Sequence, residues 1–112
     1  MKKSEKGIQT LLGPESTLEG KLVFEGIVRL DGHFTGTVES KEGMVIIGEK
    51  GVINADILVH TAIARGEIRG NVRATNRIDL RSPARIFGDM SAPVIAIEPG
   101  VIFHGNMSMK PK

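Results

Sequence analysis

Apolar and polar residues alternate along this chain in short stretches, and the stretches repeat. Six times a small residue is flanked two positions away on each side by an apolar one. The small residues are Gly20, Gly36, Ala55, Gly70, Gly88 and Gly105. Leu18, Phe34, Ile53, Ile68, Ile86 and Phe103 precede them; Leu22, Val38, Ile57, Val72, Met90 and Met107 follow. Of the twelve residues adjacent to the small ones, eleven are polar and only Phe87 is apolar. A period of two is strand geometry, with one side chain turned in and the next turned out. Successive small residues lie 16, 19, 15, 18 and 17 residues apart. A unit that short cannot bury its own core and must be covered by its neighbours, so the chain stacks as a solenoid.

Two more inward columns complete each repeat. Pairs at i, i+2 recur as Val28/Leu30, Val45/Ile47, Ala62/Ala64, Ile78/Leu80 and Ile95/Ile97, and a further column runs through Phe24, Ser40, Val59, Ala74 and Ala92. Corners rich in Gly, Asp, Glu, Lys and Pro join them, among them Asp31-Gly32, Gly48-Glu49-Lys50-Gly51, Arg81-Ser82-Pro83 and Glu98-Pro99-Gly100. The expected fold is all-β: a triangular parallel β-helix of about six rungs of about 17 residues. Residues 15–109 form the helical domain, and 1–14 and 110–112 are expected as short flexible tails. On that reading, removal of residues 1–14 leaves the rod intact.

Such a rod has two problem ends, each with unpaired backbone groups and a cross-section of apolar side chains. Leu18, Leu22 and Phe24 stand at one end, and Ile102, Phe103, Met107 and Met109 at the other. Stacking another molecule on either end would pair the backbone and bury the apolar patch together. These seven residues are the expected polymerisation interface.

The residues at this point resemble the bactofilins, bacterial cytoskeletal proteins with a right-handed β-helix. The resemblance lies in Leu30-Asp31-Gly32-His33-Phe34-Thr35-Gly36-Thr37-Val38, Val45-Ile46-Ile47-Gly48, Gly66-Glu67-Ile68-Arg69-Gly70-Asn71-Val72 and Pro99-Gly100-Val101-Ile102-Phe103-His104-Gly105, and spans about residues 16–109. It implies a right-handed helix and filaments that form without nucleotide by joining β-helix ends, without polarity. It also implies a scaffold near the membrane for cell-shape, wall-synthesis or positioning machinery, whose proteins would be the further partners. Where some members carry an apolar N-terminal peptide that attaches them to the membrane, this chain begins Met1-Lys2-Lys3-Ser4-Glu5-Lys6. Its lysines offer about 1 kcal/mol each near anionic lipid, marginal without a hydrophobic partner.

Composition narrows the chemistry. The 112 residues contain no Cys, Trp or Tyr, so disulfides and thiolate-bound metals are excluded. Residues 8–12 hold only three apolar side chains, too few for a signal peptide, so a cytoplasmic protein is expected; the resemblance implies that it is cytoskeletal and at most peripheral at the inner membrane face. Charge is uneven: residues 1–56 carry seven Lys/Arg against nine Asp/Glu, and residues 57–112 eight against four. Arg65, Arg69, Arg73, Arg77, Arg81 and Arg85 are all odd-numbered and turn outward by strand alternation. They are read either as a basic belt for an acidic partner or as solvated residues that resist lateral sheet pairing. The latter is favoured, with Glu67, Asp79 and Asp89 close enough to dilute a belt, and nucleic acid is disfavoured by the scarcity of aromatic residues.

Three other functions compete with this reading. The phrase Ile47-Gly48-Glu49-Lys50-Gly51-Val52-Ile53 is similar to the hexapeptide units of left-handed β-helix acyltransferases, which use a His as general base. His33, His60 and His104 are the candidates, and none has a carboxylate partner fixed by spacing. A polysaccharide lyase of the long β-helix type needs a longer chain. A capped, non-polymerising binding module presenting the arginines is the third alternative. No catalytic, cofactor-binding or metal-ligating residues are expected.

Overall fold

The computed structural model describes residues 8–13 and 15–109. Thirteen strands follow one another: β1 (Ile8–Leu12), β2 (Thr17–Val23), β3 (Ile27–Leu30), β4 (His33–Glu39), β5 (Met44–Ile47), β6 (Val52–Ala64), β7 (Glu67–Arg69), β8 (Val72–Leu80), β9 (Arg85–Phe87), β10 (Met90–Ser91), β11 (Val94–Ile97), β12 (Ile102–His104) and β13 (Met107–Ser108). Every pairing between them is parallel, and each strand pairs with one about a repeat away in sequence.

The pairings sort into three faces. On the first, β1, β3, β5, the last residues of β6 and of β8, and β11 run side by side. On the second run the first halves of β2, β4 and β6, then β7, β9 and β12. The third carries the ends of β2 and β4, the middle of β6, the start of β8, β10 and β13. Each face therefore has six strand segments separated by five turns of the chain, which is the expected triangular stack. The molecule measures 33 × 30 × 22 Å.

The uneven repeat length has a simple origin. Between successive small residues the faces always contribute the same number of positions, and only two of the three corners vary. The corner from first to second face uses residues 31–32, 48–51, 65–66, 81–84 and 98–101. The corner from third to first uses 24–26, 40–43, 59–60, 74–76 and 92–93, and the two residues at 59–60, set against three at 74–76, coincide with a shift in strand register. The remaining corner, from second to third face, is the column of small residues itself, one residue per rung. Here the backbones of adjacent rungs touch. A Cβ built on Gly36, Gly70, Gly88 or Gly105 would lie 1.7–2.2 Å from the carbonyl oxygen of the small residue one rung earlier. All four glycines also have φ between +138° and +149°, where L side chains are strained. Ala55 fits the same column because no non-glycine residue among those described has positive φ.

The inward columns are buried as the alternation requires. Val28, Leu30, Val45, Ile47, Ile53, Ile68, Ile78, Leu80 and Ile86 are completely inaccessible, and Phe24, Ser40, Val59, Ala74 and Ala92 line the buried corner. Each large aliphatic side chain buried this way is worth about 1.5–3 kcal/mol. Ser40, the polar member, is satisfied in place: its Oγ accepts the Gly43 N–H at 2.9 Å and closes the turn.

The ladder begins earlier than the expected boundary at residue 15. Strand β1 lies within the segment expected as a tail and pairs with β3 from Ile8↔Ile27 to Leu12↔Leu30. The physical reason is the edge of β3, whose unpaired N–H and C=O groups accept one more strand. Residues 1–7, 14 and 110–112, also parts of the expected tails, lie outside the described residues.

Candidate assembly ends and arginine belt

Two ends are expected to carry function and the arginines are read chiefly as solvated residues; the three regions differ in character. At the C-terminal end the last rung comprises β11, β12 and β13, each paired on one side only among the described residues: β11 to β8, β12 to β9 and β13 to β10. Their inward-facing residues have no following rung to cover them. Ile97 is 45% and Met107 41% exposed, whereas Leu80 and Met90, one rung earlier in the same columns, are 0% and 2% exposed. Phe103, Ile95 and Val101 pack against the core from this side and stay partly open. Together they form an apolar cross-section at the rod's end.

Two expected members of that end are placed differently. Ile102 pairs with Arg85 in an outward column of the second face, so its 47% exposure is to the side of the rod. The cause is the period of two: Phe103 takes the inward position, and its neighbour must face out. Met109, 58% exposed, follows the last strand rather than lying in it. Ile97 was missed, although the column Val28/Leu30 to Ile95/Ile97 leads directly to it.

At the N-terminal end the expected residues are mostly covered. Leu18 is 41% exposed, but Leu22 and Phe24 are each 5% exposed and belong to the core. Phe24 reaches across to the next rung, where a Cβ on Gly43 would meet its ring at 2.7 Å. Of the three residues expected as an interface there, only Leu18 is available.

The six arginines point outward but do not form one patch. Arg77 sits on the first face, Arg65 and Arg81 at the corner between first and second, Arg69 and Arg85 on the second, and Arg73 on the third. Carboxylates accompany most of them. Glu67 pairs with Arg69 and, at 3.7 Å, with Arg85; Asp79 pairs with Arg77 at 3.8 Å and Arg81 at 3.4 Å. Exposed pairs of this kind contribute little to stability. Arg29, outside the expected set, is held by Asp31 at 2.9 Å, and that hydrogen bond and the carboxylate's charge raise its pKa.

Phe87, the one apolar exception to the outward polar pattern, is explained by what surrounds it. The Arg69 guanidinium lies 4.8 Å from its ring centroid, and the His104 ring stacks parallel to it at 5.4 Å. The three stand in one outward column on successive rungs, Arg69, Phe87, His104. His33 lies on the same face at β4, four rungs from His104, and His60 bonds through Nδ1 to the Thr61 hydroxyl at 2.9 Å. The histidines are thus spread along the rod. Among the described residues no group of three His, Asp or Glu side chains could hold a metal ion, and no helix is long and apolar enough to cross a membrane.

Known proteins match this chain over most of its length. A family model for bactofilins, described as polymer-forming cytoskeletal, matches residues 10–108. Bactofilin BacO of Myxococcus xanthus is 30% identical over 103 residues, covering 92% of this chain and 81% of that protein. Bactofilin BacP of the same organism is 30% identical over 100 residues, 89% of this chain but 41% of that longer protein. Among solved structures, the double helical filaments of Thermus thermophilus bactofilin superpose with a TM-score of 0.80 at 27% identity, covering 89% of this chain and 96% of that one. The bactofilin BacA determined by solid-state NMR gives 0.79 at 23%, covering 92% and 97%, a likeness of fold.

Proposed function

The chain belongs to the bactofilin family of polymer-forming cytoskeletal proteins, and on that premise we propose that its subunits extend filaments chiefly through the C-terminal end of the β-helix. The observation that carries this reading is the open last rung: three strands with a free edge around Phe103, Ile97 and Met107. A second subunit stacked there adds backbone pairing and covers apolar area in one step, so assembly needs no nucleotide and no cofactor. At the N-terminal end Leu18 and the free edges of β1 and β2 supply the complementary junction, with Leu22 and Phe24 supporting it from within the core.

The function is structural in this reading rather than enzymatic. Scattered histidines without carboxylate partners favour it over the acyltransferase alternative. The polymer would scaffold cell-shape, wall-synthesis or positioning proteins in the cytoplasm, with Lys2, Lys3 and Lys6 adding weak attraction to an anionic membrane surface. Four of the six arginines are ion-paired, and the set is spread over the three faces rather than gathered into one partner-binding belt.

Negative-stain electron microscopy of Phe103→Arg tests the interface. A guanidinium in the apolar end costs several kcal/mol if it is buried without a partner, so the variant should remain folded by circular dichroism while forming no filaments. Ile97→Asp should behave alike. Filaments of normal length in both variants would refute the C-terminal interface.

A further inference from the structure

The outer surface of the first face departs from the pattern of the other two. Of its ten described outward positions six are apolar, namely Ile27, Met44, Ile46, Ile63, Val94 and Ala96. The outward positions of the second face hold three apolar residues, Val52, Phe87 and Ile102, and those of the third hold two, Val23 and Leu58. Parallel sheets are ordinarily covered on both sides. On this face the core covers the inner side, while Ile27, Met44, Ile46 and Ile63 stay half-buried on the outer one.

Four of these residues are contiguous. Ile27 pairs with Met44 and Ile46 with Ile63 across adjacent strands, while Met44 and Ile46 share β5. With strands about 4.8 Å apart and alternate residues about 6.6 Å apart, the four span roughly 10 by 7 Å. That is about the width of one α-helix. A shallow groove runs beside them, floored by Ile46 and Ile63 and edged by Arg29, Arg65 and Arg81.

Charge selects the occupant. The face's two aspartates are already engaged, Asp31 by Arg29 and Asp79 by Arg77 and Arg81. Arg65 makes no ion pair among the described residues, and Glu49 is the one further carboxylate at the groove. We propose that the strip docks an amphipathic helix of a partner protein, its apolar stripe lying over Met44, Ile46 and Ile63 and its flanking carboxylates meeting Arg65 and Arg81. This is independent of how the ends assemble. In a filament the strip recurs on every subunit, so a multivalent partner gains avidity.

The test uses the full chain and a fluorescein-labelled 18-residue peptide with Leu at helical spacing and Glu beside it, compared with the same peptide carrying Lys for Glu. Fluorescence anisotropy should show saturable binding of the acidic peptide and at least tenfold weaker binding of the basic one. Arg65→Glu and Ile46→Asp should each weaken the acidic peptide tenfold or more, while Thr35→Asp on the second face leaves it unchanged. Arg65→Glu, on an exposed corner, keeps the test valid should Ile46→Asp disturb folding. Equal binding of both peptides, no loss with Arg65→Glu, or binding to phosphatidylglycerol vesicles in place of peptide would overturn the proposal.

Discussion

Gly88 and Gly20 occupy the same column with similar backbone angles, φ +145° and +129°, yet their surroundings differ. A Cβ on Gly88 would lie 1.9 Å from the Gly70 carbonyl oxygen, a backbone atom that cannot move without shifting its own rung. On Gly20, in the first rung, it would meet nothing within 4 Å. Gly20→Ala therefore incurs only the strain of positive φ, about 1–2 kcal/mol. Gly88→Ala adds a backbone clash and should cost about 2–4 kcal/mol in total. Thermal denaturation of the two variants side by side checks this; equal losses would mean that close approach between rungs is not what fixes the column. At this scale the sequence is informative about which residues turn inward and silent about which outward ones matter. Phe87 breaks its pattern because Arg69 and His104 lie in its column on neighbouring rungs, a register that only the stacked structure supplies.

Among the elements, β1 changes the account of the N-terminus. As a tail, residues 1–14 could be removed without consequence. As a sixth strand of the first face, β1 covers the edge of β3, where Ile8 and Leu12 stand opposite Ile27 and Leu30. A chain lacking residues 1–14 should melt several degrees lower than the full chain, because β3 becomes the edge strand. An unchanged melting temperature would show that β1 contributes no net stability. The strand escaped sequence reading because β1 has no small-residue marker and its Ile8-Gln9-Thr10-Leu11-Leu12 does not alternate cleanly. The periodic strands, by contrast, were legible to within a residue or two: Phe34, Val38 and Val45 are buried where the alternation put them. Strand β5 shows the converse failure. Its run Met44-Val45-Ile46-Ile47 is apolar throughout, which reveals the inward pair and hides the outward one.

Over the whole molecule, stacking turns local alternation into a gradient of exposure along the rod. Interior rungs are sealed by neighbours on both sides, while the last rung is sealed on one. That gradient is why the end residues could be named from the repeat count, and why Leu22 and Phe24 could not be ranked below Leu18 without coordinates. The arginines illustrate the same limit: sequence parity shows that they face outward, but three faces distribute them around the circumference, with shared carboxylates at Glu67 and Asp79.

The varying corners also make the rod's three edges chemically unequal. The edge built from one residue per rung is a zip of touching backbones, and a single extra residue there would throw two faces out of register. The edge at residues 48–51 already carries four residues where its neighbour at 65–66 carries two. A fluorescent protein or affinity tag inserted between Glu49 and Lys50, both exposed, should leave the filaments intact, whereas the same insertion between Ala55 and Asp56 should abolish folding. Electron microscopy of the two fusions would decide it. The molecule thus comes with a seam that must stay shut and a margin on which cargo can be sewn.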